Sequence, residues 1–149
     1  MNLFDQVSND IKEAMKAKDK VRLETLRNIK KVFLEAKTAP GAKDTLADVD
    51  ALKILMKLAK QGTESGDLYR TQNRPDLAEE EYAQVKVIEQ YLPKMMNAEE
   101  MEKAVREIIA ETGATSLKEM GKVMAVASKK LAGKAEGKAI SEKVRELLA

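Results

Sequence analysis

VKVIEQYLPKMMNAEEMEKAVREII, residues 85–109, holds a helix stop and a fresh helix start between two amphipathic stripes. Val85, Ile88 and Leu92 recur at helical spacing up to Pro93, which cannot continue a helix. Asn97-Ala-Glu-Glu100 then supplies a cap acceptor and an acidic residue three positions later, and Met101, Val105 and Ile108 form the next apolar face. The stretch therefore predicts helices on both sides of a boundary, with an amino-terminal module over residues 1–92 and a tail module over 93–149.

Working outward, the same period recurs and no stretch alternates with period two for long enough to make a strand, so the expected class is all-α. Leu3, Val7, Ile11 and Met15 make the stripe of a first helix. Asp19 offers a cap for a second, whose stripe is Leu26, Ile29, Phe33 and Ala36 and which stops at Pro40-Gly41. Thr45-Leu-Ala-Asp48 has the form of a weak capping box before a third helix through Val49, Leu52, Leu55, Met56 and Ala59. Gly62 and Gly66 fall near that stripe, at a cost of about 1 kcal/mol each relative to alanine. Their placement implies close approach of a neighbouring helix, and the alternative is that the third helix breaks between Gly62 and Asn73. Pro75 suits the first turn of a fourth helix over Leu77, Tyr82, Val85, Ile88 and Leu92. In the tail, Gly113 closes the fifth helix, Ser116-Leu-Lys-Glu119 repeats the capping pattern for a sixth, and Ile140, Val144, Leu147 and Leu148 line a seventh. The expected architecture is four helices followed by three, the 57-residue tail being marginal as a stand-alone core.

Composition narrows the chemistry. With no cysteine or histidine in 149 residues, disulfides, Cys/His zinc sites, thiolate nucleophiles and a Ser-His-Asp triad are excluded. The start lacks a signal-peptide pattern and no apolar run approaches a membrane span, so the chain reads as cytoplasmic, with no membrane association. Glu79-Glu-Glu81 and Glu99, Glu100 and Glu102 lie at expected helix starts, where acidic side chains complement the helix dipole without any metal or acid/base role. Met95, Met96, Met101, Met120 and Met124 read as flexible core filling. Gly133-Lys-Ala-Glu-Gly137-Lys138 fails the phosphate-loop pattern, having three residues between its glycines and Ala139 after the lysine. A weaker form of that reading survives: backbone N–H groups from Gly137 to Ala139, flanked by Lys134 and Lys138, could hold one phosphate of a larger ligand. No cofactor is expected.

Charge distribution is more informative. The net charge is +2, yet residues 1–92 carry 16 basic and 16 acidic side chains while residues 93–149 carry 11 and 9. Within 118–145, Lys118, Lys122, Lys129, Lys130, Lys134, Lys138, Lys143 and Arg145 outnumber Glu119, Glu136 and Glu142. On a wheel of about 100° per residue, Lys118, Lys122 and Lys129 fall within about 40° of one another, opposite the apolar stripe Met120, Val123, Met124, Ala127 and Leu131. Such a row is either a solvated face or a surface that tracks phosphates. No aromatic interleaves with it, which suits the backbone of a folded RNA better than unpaired bases. The candidate RNA-binding residues are Lys118, Lys122, Lys129, Lys130, Lys134, Gly137 and Lys138.

YLPK from Tyr91, ETGATSLKEMGKVM at Glu111–Met124 and GKAEGKAISEKVRELL at Gly133–Leu148 resemble the GatB/YqeY family, and AMKAKDKVRLETLR at Ala14–Arg27 resembles the amino-terminal half of free-standing YqeY proteins. The resemblance implies a helical module joined to a three-helix tail like that of GatB, a subunit of tRNA-dependent amidotransferases that use glutamine as amide donor. In GatB the tail is associated with gripping tRNA, while activation and ammonia handling belong to other domains. By position Gly113, Ala114, Thr115, Ser116, Lys118, Met120, Gly121, Lys122, Val123, Met124, Gly133 and Gly137 carry over, of which the lysines and glycines are the RNA-contact candidates. This chain departs at Lys129, where relatives often place proline, and at Glu136, where they place aspartate. A straighter sixth helix and a poorer cap before Gly137 should follow. The implied function is a noncatalytic tRNA-binding accessory, monomeric, related to carbon-nitrogen ligases. The rivals are a protein adaptor docking on an amidotransferase or synthetase, with Gly62, Gly66 and Tyr69 as contacts where exposed, and a component of a carbon-nitrogen ligase that is not catalytic alone.

Overall fold

The structure is a computed structural model and describes residues 2–149. Among these it contains seven α-helices, one 3-10 turn and no strand: α1 Leu3–Ala17, α2 Lys20–Lys37, α3 Asp48–Thr71, α4 Pro75–Glu89, α5 Ala98–Thr112, α6 Met120–Lys130 and α7 Gly137–Leu148. The chain separates into two compact units, Met1–Leu92 and Pro93–Ala149, each with its own core.

In the first unit, α1 and α2 form a hairpin around Lys18-Asp19. Asp19 caps α2 by accepting a hydrogen bond from the Arg22 N–H at 3.1 Å, and Lys18 turns the chain in the left-handed region at φ 56°. So tight a link draws the helices together at Ala14, which is fully buried, and leaves Met15 on the outside at 53% exposure. The expected stripe therefore shifts by one residue at its carboxyl end. Val7, Leu26, Ile29, Phe33, Ala51, Leu55 and Ile88 make the core. Asp48 does not act as the third residue of a capping box. Ala47 is the N-cap of α3 and makes no side-chain bond, while Asp48 Oδ1 accepts from the Leu3 N–H at 2.9 Å and ties the start of α3 to that of α1.

Helix α3 is continuous through both glycines. A Cβ on Gly62 would lie 2.6 Å from Val85 Cγ2, and one on Gly66 would lie 2.5 Å from Tyr82 Cε1, so α4 crosses α3 where a side chain is missing. Both glycines face α4, and of the three suggested protein contacts Gly66 is buried while Gly62 and Tyr69 are half-buried. Helix α3 closes in a Schellman pattern, with the Arg74 N–H donating to Tyr69 O, the Asn73 N–H donating to Arg70 O, and Asn73 at φ 60°. Pro75 opens α4. That helix ends at Glu89 rather than Leu92, its last turn tightening through bonds from Tyr91 N–H to Ile88 O and from Leu92 N–H to Glu89 O.

In the second unit, both bonds of the capping box are present at α5. Asn97 Oδ1 accepts from the Glu100 N–H at 2.8 Å, and the Asn97 N–H donates to Glu100 Oε1 at 3.2 Å. Gly113, at φ 72°, closes the helix. Val105, Ile108, Val123, Ala127, Leu131, Ile140, Val144 and Leu148 fill the space between α5, α6 and α7.

Candidate nucleic-acid interface

The inward set of α6 is Val123 and Ala127, both fully buried, with Met120 and Met124 partly covered beside them. Its outward set is Gly121, Lys122, Ala125 and Lys129, all exposed. Lys122 and Lys129 are seven residues apart and point the same way, separated by about 10 Å along the axis. Between them lie only small side chains, so this face is cationic and low in relief. Gly121 has open space where a Cβ would stand.

Lys118 is not on the α6 wheel. Ser116 makes no capping bond, and residues Leu117–Glu119 form a 3-10 turn. Glu119 Oε1 accepts from both the N–H and the Oγ1 of Thr115 at 3.3 Å, folding its side chain back over the turn. The tighter winding puts Lys118 out of register with Lys122, although it is exposed. Lys130 is a different case: its ammonium pairs with Glu111 of α5, which compensates its charge. Glu111 lies outside the 118–145 window, and nothing in the sequence spacing marks it as a partner. Lys143 is likewise engaged, with Glu146 at 3.2 Å and Glu102 at 3.9 Å. Among the described residues, Lys118, Lys122, Lys129 and Lys138 have no carboxylate within ion-pairing distance.

The loop from Leu131 to Glu136 is pinned rather than free. Lys134 is half-buried, its N–H donates to Leu131 O, and its carbonyl accepts from the Met96 N–H at 2.8 Å. Gly133 turns the loop at φ 76° and is itself buried. Helix α7 begins at Gly137, with Glu136 as an N-cap that makes no side-chain capping bond. Gly137 and Lys138 are exposed in its first turn. Further along α7 the outer face mixes Glu142, Arg145 and Glu146.

The acidic run of α5 is accounted for by helix electrostatics and pairing, whereas the run expected at the start of α4 lies beyond that helix's first turn. Glu99 and Glu100 occupy the first turn of α5, and Glu102 faces Arg106 at 3.7 Å as well as Lys143. Glu79, Glu80 and Glu81 follow the first turn of α4, whose own acid is Asp76. Among the described residues no group of three or more carboxylates is placed to hold a metal ion, and no helix is long and apolar enough to cross a membrane.

Comparison with known proteins finds relatives by sequence. Altered inheritance of mitochondria protein 41, mitochondrial, of Pyrenophora tritici-repentis is 29% identical over 152 residues, covering 98% of this chain and 81% of that protein. The protein of the same name from Meyerozyma guilliermondii is 32% identical over 92 residues, which is 62% of this chain and 47% of its own length. An uncharacterized protein of Schizosaccharomyces pombe is 33% identical over 95 residues, 62% of this chain and 74% of that protein. The family described as Yqey-like protein matches residues 4–148, nearly the whole sequence, and the chain belongs to that family.

Proposed function

We propose that this chain is a noncatalytic RNA-binding accessory, related to the B subunit of tRNA-dependent amidotransferases, whose three-helix unit grips the phosphate backbone of a folded RNA, tRNA being the leading candidate. The observation that carries the reading is the outer face of α6, where Lys122 and Lys129 stand uncompensated on a low surface of Gly121 and Ala125. A polyanion lying along such a face meets point charges without steric obstruction, and phosphate contacts of this kind position a protein without reading sequence. Lys118 and Lys138, both exposed, are further candidate contacts, and Gly137 offers a backbone N–H group to a phosphate. Lys130 is left out of the contact set because Glu111 already neutralises it. The location proposed is the cytoplasm. The relatives from Pyrenophora and Meyerozyma are named as mitochondrial, and a fluorescent fusion of the chain distinguishes the two compartments.

The test is equilibrium tRNA binding by filter retention across a salt series. Each phosphate neutralised contributes about −0.9 to the slope of log affinity against log salt on a duplex, so three lysines predict a slope near −3. The variant Lys118→Glu, Lys122→Glu, Lys129→Glu should lose most of that slope and most of the affinity. Absence of tRNA binding at low salt, or an unchanged slope in the variant, would reject the reading.

A further inference from the structure

Helices α1 and α3 start level with one another, because the Leu3 N–H donates to Asp48 Oδ1 at 2.9 Å. They also run the same way: Tyr91, where the chain has returned along α4 toward the start of α3, donates its hydroxyl to Asp10, two turns along α1. Yet α1 has 15 residues and α3 has 24, lengths of about 22 and about 36 Å. The α3–α4 hairpin therefore overhangs the α1–α2 reversal at Lys18 by about 14 Å. The shared core shows the same step, for it reaches Ala59 on α3 and takes nothing from α4 before Val87. Beyond it, residues 63–84 form a two-helix arm, closed by the packing of Tyr82 over Gly66.

The overhang leaves a core stripe half covered. On α3, Ile54, Leu58, Gln61, Ser65 and Leu68 recur at steps of four and three, which keeps them on one side of the helix. On α4, Leu77, Glu81, Gln84, Ile88 and Tyr91 do the same. Ile54, Leu58, Ile88 and Tyr91 pack into the core with α1 and α2. The remainder continues in register along the arm, where neither α1 nor α2 reaches, and each stripe has a leucine at its far end. A merely solubilising face has no reason to prolong a core stripe. Among the described residues, the two most exposed large apolar side chains are Leu68 at 56%, on the arm, and Met15 at 53%, within a turn of the reversal. The two walls of the step also carry opposite charge. Residues 12–22 hold five basic and two acidic side chains, a net +3, and residues 63–84 hold two and six, a net −4. Lys16, Lys18 and Lys20 are exposed on the first wall, and Glu64, Glu79 and Glu80 on the second.

We propose that a second copy of this chain fills the step. In a two-fold pair each arm lies in the step of the other, open stripe against open stripe, with its acidic end at the partner's basic reversal. The overhang has the same length in both copies, so filling one step fills the other. Leu68 falls near the middle of the overlap and is buried by it. An overlap two helices wide and about 14 Å long is at the small end of specific interfaces, so the pair is reversible and leans on its charges. This departs from the monomer that the family resemblance implies. It uses neither RNA nor the lysines of α6, and stands or falls apart from the RNA-binding reading.

The experiment is sedimentation equilibrium of the nuclease-treated 149-residue chain at low salt, from micromolar to about millimolar protein. The average mass should climb from 16.5 kDa toward twice that value with concentration, and fall back at high salt. Leu68→Ser should raise the dissociation constant about ten-fold or more, the scale of one buried leucine. The double variant Lys16→Glu, Lys20→Glu should stay monomeric, and so should Glu79→Lys, Glu80→Lys. Mixed together, these two should pair, because every junction then joins opposite charges again. A wild-type mass of 16.5 kDa at every concentration overturns the proposal, whatever other protein the arm is found to hold. So does wild-type association that Leu68→Ser leaves unchanged. Charge-reversed proteins that circular dichroism shows to be folded, and that remain monomeric when mixed, overturn it equally.

Discussion

Gly66 and Gly121 both sit inside helices, and substitution by alanine should have opposite consequences at the two. At Gly66 the added methyl meets the Tyr82 ring at 2.5 Å, and that ring is held by its hydroxyl donating to Asp67, so it cannot swing away cheaply. Overpacking costs about 1 to 3 kcal/mol and the helix-propensity gain returns about 1, so Gly66→Ala should destabilise the chain by up to about 2 kcal/mol in urea denaturation. At Gly121 nothing lies within 4 Å of the missing Cβ and the backbone is helical, so Gly121→Ala should stabilise by up to about 1 kcal/mol. If the bare backbone on α6 serves close approach of RNA, the same variant binds tRNA more weakly despite its greater stability. Tyr91 gives a third residue-scale prediction. Burial, and then its hydrogen bond to Asp10, raise the pKa of its phenol above the ordinary tyrosine value. The folded state thus keeps a proton that the unfolded state releases near pH 10, so this contribution is fully present below about pH 10 and is lost as pH rises further. Tyr82 is also raised, by its hydrogen bond to Asp67, so alkaline titration followed by tyrosinate absorbance should show late ionisation whose last phase vanishes in Tyr91→Phe. At this scale the sequence was least legible for alanine. The large apolar core residues Leu26, Ile29, Phe33, Leu55, Val105 and Val144 announce themselves by period, whereas the buried Ala14, Ala51 and Ala78 do not, because a methyl group on a wheel looks the same whether it faces a helix or water.

Among elements, caps divide into those that depend on local geometry and those that tertiary contacts override. Asn97 with Glu100 and Asp19 with the Arg22 N–H need only their own turn, and each is readable from the sequence. Asn97→Ala should cost about 1 kcal/mol, seen as a lower denaturation midpoint with an unchanged m-value. The patterns at Thr45–Asp48 and Ser116–Glu119 fail for separate reasons. Asp48 is taken by the Leu3 N–H across the unit, and Glu119 by Thr115 in a 3-10 turn. That second failure matters for the candidate site, since the wheel that aligned Lys118 with Lys122 presumed an unbroken α-helix. The consequence is testable by single substitutions. Lys122→Gln and Lys129→Gln should each remove about 0.9 from the salt slope of tRNA binding, whereas Lys130→Gln, already paired with Glu111, should leave it unchanged.

At the scale of the molecule, net charge proves a poor summary of what the surface offers. The +2 overall and the zero of residues 1–92 are averages over regions of opposite sign, and only the fold shows which cations lack partners. The all-α class and the family were legible because helical period and the tail motif are local properties of the sequence. Compensation by Glu111 depends on which helices meet and cannot be read from spacing. The central claim is that these uncompensated cations meet RNA, and crosslinking it in cells tests that most directly. Ultraviolet irradiation of cells expressing the full chain, followed by sequencing of the attached RNA and mass spectrometry of the adducted peptides, should recover structured RNA with adducts within residues 118–138. A chain recovered without RNA, still bound to a protein partner after nuclease digestion, would contradict it.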